Sequence, residues 1–282
     1  GVDEVTDRTV EEEFDATADT TVTPSVKAEE GFNTPETQTA QVNGNGSTVI
    51  TYTYTRKSYT LTVERKEGVA SVTVTAVTPG NVGEATAVEG NVNATSYSVV
   101  YGAKFTMTSV AATGYTTAGF TGLTAVEGVY TMPMQATAVE AIATANRYEV
   151  ILNLVEVAGL TTTTTVANVT ITDGKISLWA VYNADYATLY TTENGDVAVS
   201  LADFTSTTLT REGHTFDAFY TTSFAADGIT AGQVAVKAAD KFLPGDVAGE
   251  VEKTNLYAYW TINVHTLTVE YYIARASEAF HT

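Results

Sequence analysis

Residues 58–64 read SYTLTVE, and residues 265–271 read HTLTVEY. In both, an apolar or aromatic residue at every second position alternates with serine, threonine or glutamate. Extended backbone turns that alternation into one apolar and one wetted face. Residues 147–153 (RYEVILN) are a weaker copy. The same period of two runs through residues 47–55 (STVITYTYT), 69–77 (VASVTVTAV) and 148–154 (YEVILNL). Threonine suits such strands because its branched Cβ favours extended backbone.

Between these runs stand residues that tolerate positive φ: Asn43-Gly44-Asn45-Gly46, Pro79-Gly80-Asn81, Asp173-Gly174 and Asn194-Gly195-Asp196. They predict hairpin turns. One helix is expected, over residues 230–242 (TAGQVAVKAADKF), where an alanine-rich run is stopped by Pro244-Gly245. The expected fold class is therefore mainly all-β, with at most one short helix.

The chain has 282 residues, with 33 Asp and Glu against 14 Lys and Arg, for a formal net charge of -19. Such a surface repels phosphate, so no nucleic-acid partner is expected. No run of 18 apolar residues occurs, and no membrane insertion is expected. There is no cysteine, so disulfides and thiolate metal ligands are excluded.

Each copy of the opening strand follows an aromatic or alanine-rich run: TYTYTRK, AVEAIATAN and NLYAYWTIN. These junctions divide the chain into residues 1–57, 58–146, 147–261 and 262–282. Residues 213–222 (GHTFDAFYTT), closed by residues 255–260 (NLYAYW), resemble the Listeria/Bacteroides repeat, also called the internalin B-type repeat. Residues 58–146 are similar to a divergent form of it, through YTLTV, YGAKFTMTSVAATGYTTAGFTGL and VYTMPMQATAVEAIAT. Gly114-Tyr115 and Phe120 there read as a turn followed by rings that plug the module core. Residues 32–56 (FNTPETQTAQVNGNGSTVITYTYTR) resemble the second half of a mucin-binding-protein type repeat.

The resemblance implies an elongated tandem of small β-grasp-like or β-sandwich modules from a secreted, extracellular or cell-surface bacterial protein. A mucin-binding-type repeat opens with a strand like YTLTVEYY. None precedes residue 32 here, whereas residues 265–272 (HTLTVEYY) supply one at the other end. Read head to tail, residues 262–282 followed by 1–57 restore a whole module.

An intermolecular filament, a window of a longer tandem array, or closure within one chain would each answer this arrangement. The expectation adopted is a structural subunit of a surface filament, its partner being itself in a head-to-tail homopolymer. Leu267, Val269, Tyr271, Tyr272, Ile273 and Phe280 are the expected donor residues, and Val49, Ile50, Tyr52 and Tyr54 the acceptors. The alternative is an adhesin or glycan-binding stalk fragment meeting host or environmental glycans.

No enzyme is expected, because the nucleophile elbow, the Walker loop, H-E-x-x-H and the dinucleotide fingerprint are all missing. The histidines are His214, His265 and His281. No cofactor is expected beyond calcium at acidic stretches such as Glu11-Glu12-Glu13 with Asp15 and Asp19, or at the Asp173 and Asp196 turns. Lys57, Lys104 and Lys175 are the candidate donors for internal isopeptide bonds. Tyr52 with Tyr54, and Tyr257, Tyr259 and Trp260, are clusters in which spacing by two places members on a shared face, read as core or module junction, with a glycan platform as the alternative.

Overall fold

The computed structural model describes residues 12–155, 159–224, 233–244 and 254–271. The chain divides into two compact units, Gly1–Asn146 and Arg147–Thr282. The described residues are built of strands, with one short turn of 3₁₀-helix at Leu201–Asp203.

The first unit begins with four two-residue strands, β1 (Thr21–Val22), β2 (Phe32–Asn33), β3 (Ala40–Gln41) and β4 (Thr55–Arg56). They pair antiparallel as β1 with β3 and β2 with β4. There follow β5 (Ser58–Arg65), β6 (Val69–Ala76), β7 (Thr86–Val88), β8 (Asn91–Val100), β9 (Lys104–Ala111), β10 (Tyr115–Thr121), β11 (Tyr130–Thr131) and β12 (Thr137–Ala145).

Five of these form a sheet in the order β10-β12-β5-β8-β7, and three form another, β11-β9-β6. The pair β5–β12 is parallel, although these strands lie at opposite ends of the module in sequence. Leu61, Val63, Val99, Phe105, Met132 and Val139 are buried together. Phe105 stacks on Tyr130, which Phe120 meets edge-on with centroids 6.2 Å apart, so Phe120 does help close this core.

Residues 12–57 join the rest of the unit around Tyr101. Gly31 has φ of +81°, and a Cβ there would lie 2.3 Å from the Tyr101 ring. Only glycine combines that backbone with that closeness. The Lys57 amide donates to the Gly31 carbonyl at 2.8 Å, and the Tyr101 amide to that of Lys57 at 2.8 Å.

The second unit contains β13 (Arg147–Asn153), β14 (Thr162–Thr164), β15 (Lys175–Val181), β16 (Leu189–Tyr190), β17 (Ala198–Val199), β18 (Leu209–Arg211), β19 (His214–Tyr220) and β20 (Thr254–Ile262). They make one eight-stranded sheet, β14-β18-β19-β20-β13-β15-β16-β17. Here too the opening strand β13 runs parallel to the closing strand β20. The core gathers Val150, Leu152, Leu178, Leu209, Phe216, Phe219 and Leu256.

Expected turns form at Gly46, Gly80, Asp173-Gly174 and Gly195, all at positive φ. The expected helix does not. Residues 230–232 lie outside the described residues, and residues 233–242 run as an irregular strap. Ala235 bridges Tyr220, Lys241 bridges Asp185, and Phe242 is fully buried against Tyr148 and Tyr186. Bridges and ring packing made across the fold outweigh the weak intrinsic helicity of a short alanine-rich run.

Tyr186 closes this side of the core. Burial, reinforced by the nearby Asp240 carboxylate, pushes its hydroxyl up to about 12. The unfolded chain releases that proton near pH 10. The folded state therefore binds the proton more tightly, and its stability falls as pH rises from about 10 to about 12. Tyr186→Phe is expected to remove roughly 2–3 kcal/mol of that alkaline loss, read by denaturant titration at both ends of the window.

Candidate functional site: two strand sequences outside the sheets

Two segments carry strand sequence without strand pairing among the described residues. In residues 48–54 the side chains alternate as sequence alternation predicts: Thr48, Ile50, Tyr52 and Tyr54 are half-buried, and Val49, Thr51 and Thr53 are exposed. Yet none belongs to a strand, and of the expected strand over residues 47–55 only Thr55 is in one, as the first residue of β4.

What holds this segment is hydrogen bonding that involves side chains. The Tyr52 hydroxyl donates to the Pro24 carbonyl at 3.0 Å, and that of Tyr54 to the Lys27 carbonyl at 2.6 Å. The Gln38 side-chain amide donates to the Thr51 carbonyl at 2.9 Å, and the Asn43 amide to the Thr48 hydroxyl at 2.7 Å. The alternating face is thus already oriented, without a ladder beside it.

Residues 263–271 likewise belong to no strand, against expectation, and every one of them is exposed. Asn263 is tied back by its amide to the Gly213 carbonyl, and its side-chain oxygen accepts from Thr215. Beyond it Leu267 is 84% exposed, Val269 55% and Tyr271 88%. Scattered apolar residues on a surface are ordinary, but these stand at i, i+2 and i+4, where a strand would present all three on one face. The physical reason neither segment forms its expected strand is shared: extended backbone is stable only when a neighbouring strand takes up its amides and carbonyls.

Of the expected interaction residues, Leu267, Val269 and Tyr271 lie in the second unit and Val49, Ile50, Tyr52 and Tyr54 in the first. Tyr272, Ile273 and Phe280 fall outside the described residues.

The C-terminal aromatic cluster departs from the expected arrangement. Leu256, Ala258 and Trp260 are buried on the core face of β20, whereas Tyr257 and Tyr259 occupy the other face. Trp260 is one residue, not two, from Tyr259, so alternation separates them. Its indole donates to the Leu154 carbonyl at 2.9 Å, and Phe216 packs against it. Tyr259 instead meets Tyr220 and Phe224.

Sequence reading missed Arg211, the one charged residue among the described residues buried to 5% exposure. It sits over the Trp260 ring at 4.3 Å and donates to the carbonyls of Leu154 and Val155 and to the Thr162 hydroxyl. Burial lowers its pKa. A single arginine in a strand pattern carries no local sign of burial. Its donors are taken up by the chain itself, which makes it a clamp on the start of the loop after β13.

Among the described residues, no three acidic or histidine side chains converge as metal ligands would. Glu12 pairs with Lys27, and the turn residue Asp196 accepts from the Thr192 hydroxyl at 3.3 Å. Asp173 occupies its turn at φ of 49°. His214 Nδ1 lies 2.9 Å from the Glu212 carbonyl, and Lys104 donates to the Thr131 hydroxyl at 2.7 Å. Among the described residues, no helix is long and apolar enough to cross a membrane. No protein-family model, curated protein or solved structure matches this chain.

Proposed function

We propose that this chain is a structural subunit of an extracellular bacterial surface filament, made of β-grasp-like repeat modules and assembled by strand addition between copies. The observation that carries the reading is the exposed apolar row Leu267, Val269 and Tyr271, in a segment whose sequence repeats that of β5. A complementary feature is the alternating, unladdered face of residues 48–54. A donor and an acceptor on different parts of one chain form a heterologous contact, which propagates into an open fibre when its rotation does not close. The net charge of -19 keeps such fibres apart from one another in solution. The function is mechanical, and neither catalysis nor a cofactor takes part.

The test is sedimentation velocity over a wide concentration range, with negative-stain electron microscopy of the concentrated sample. The expected result is a sedimentation coefficient that climbs with concentration past that of a dimer, together with fibres of uniform width. A single monomeric species throughout, particularly one that binds a defined glycan on an array, would overturn the filament in favour of an adhesive stalk.

A further inference from the structure

Resting on that reading, we infer that the donor strand enters the neighbouring copy parallel to the acceptor, in one register: Leu267 opposite Thr48, Val269 opposite Ile50, and Tyr271 opposite Tyr52. The modules at residues 58–146 and 147–261 pair their own first and last strands in the same way.

In the first unit Leu61 of β5 pairs with Thr137 of the parallel strand β12, and Val63 pairs with Val139. In the second, Val150 of β13 pairs with Thr254 of β20, and Leu152 pairs with Leu256. The two registers are the same when counted along the sequence. Leu61 follows Tyr59 by two residues, as Val150 follows Tyr148. Thr137 precedes Tyr148 by eleven residues, and Thr254 precedes His265 by eleven. In each case a closing strand leads almost directly into the next opening strand.

Residues 48–54 occupy the closing position before β5, and residues 265–271 the opening position after β20. The residue eleven before Tyr59 is Thr48, so all three closing segments carry threonine at that place. The residue two after His265 is Leu267, the counterpart of Leu61 and Val150. The closing segment and the opening segment that join no ladder among the described residues are therefore matched in position, and the pairing rule of both modules sets their alignment.

Burial agrees with this alignment. Leu61, Val63, Val150 and Leu152 are all buried, and so are Val139 and Leu256 opposite Val63 and Leu152. Their counterparts are Leu267 and Val269 on the donor and Ile50 on the acceptor. The half-buried acceptor face of Thr48, Ile50 and Tyr52 thus meets the apolar donor face. A slip of one residue would put the donor's apolar side chains opposite Val49 and Thr51, on the outward face. The alignment also relieves a charge conflict. Glu64 stands beside Glu140 in the first unit and Lys66 bridges both, at 3.1 and 2.8 Å. The corresponding donor residue Glu270 faces uncharged Thr51.

The chain has no cysteine, so introduced thiols report without background. Copies carrying Thr268→Cys or Glu270→Cys are mixed with copies carrying Val49→Cys, Thr51→Cys or Thr53→Cys. All five positions are exposed. The mixtures are treated with a bifunctional thiol reagent of about 5 Å span, since opposed residues on adjacent strands lie about 4.8 Å apart and residues displaced by two about 8 Å. The expected result is a covalent heterodimer formed roughly fivefold better for Thr268→Cys with Val49→Cys and for Glu270→Cys with Thr51→Cys than for the other pairings.

Reversal of that order, with Thr268→Cys favouring the higher-numbered acceptor, would mean antiparallel addition and overturn the inference while the filament stands. Cross-linking without preference in associating material would do the same. Mixtures that sediment as monomers and yield no heterodimer would overturn both the alignment and the filament.

Discussion

Leu267→Asp with Val269→Asp is expected to abolish association while leaving both units folded. Each apolar side chain contributes about 1.5–3 kcal/mol when it leaves water for a core, and a carboxylate placed there adds a further penalty of several kcal/mol. The combined loss exceeds about 4 kcal/mol, which is at least a thousandfold in affinity. Fibres should disappear, and the sedimentation coefficient should stay monomeric at concentrations where the natural chain assembles.

Stability makes a clean control, because residues 264–271 are exposed and outside every strand. The variant should therefore melt like its parent. Thr266→Asp with Thr268→Asp adds the same charge to the other face of the donor and should change association by no more than about threefold, as for an ordinary surface substitution. Equal assembly by the Leu267→Asp/Val269→Asp variant and its parent would remove the donor strand from the mechanism.

Arg211→Met is expected to destabilise the second unit strongly. The guanidinium serves the Leu154 and Val155 carbonyls and the Thr162 hydroxyl and lies on the Trp260 ring. Methionine fills much of the volume but donates nothing, so the Val155 carbonyl loses its donor and Leu154 keeps only that of Trp260. Hydrogen bonds from a charged donor contribute about 1.5–3 kcal/mol each, and the remaining acceptors add a desolvation penalty. A loss of about 3–4 kcal/mol should lower the melting temperature of this unit by roughly 10 °C, followed by calorimetry. Arg211→Lys should recover only part of it, since one ammonium cannot span the same acceptors or stack on the ring. An unchanged melting temperature for Arg211→Met would mean the clamp contributes nothing net.

The local features of the fold were legible because their causes are local. Period-two alternation marked β5, β6 and β13, and glycine, asparagine or aspartate at positive φ marked the turns between strands. The same alternation named residues 48–54 and 265–271 as strands. Sequence could not show that neither joins a strand ladder among the described residues, because pairing is a property of what lies alongside.

Residues 233–242 illustrate the opposite failure. Their alanine-rich composition favours a helix in isolation. Bridges to Tyr220 and Asp185, and the burial of Phe242, hold them as a strap instead. Trp260 departs from expectation for a simpler reason: it is adjacent to Tyr259, and adjacent residues in a strand point to opposite faces.

The strand class, the turns and the repetition of opening and closing segments follow from side-chain periodicity and backbone preference within a few residues. The parallel pairing of a module's first and last strands, the burial of Arg211 and the exposure of the Leu267, Val269 and Tyr271 row emerge only when distant parts of the chain meet. Those outcomes depend on contacts between residues up to about a hundred positions apart. No local pattern encodes the free energy of closing so long a loop against the surface that its closure buries.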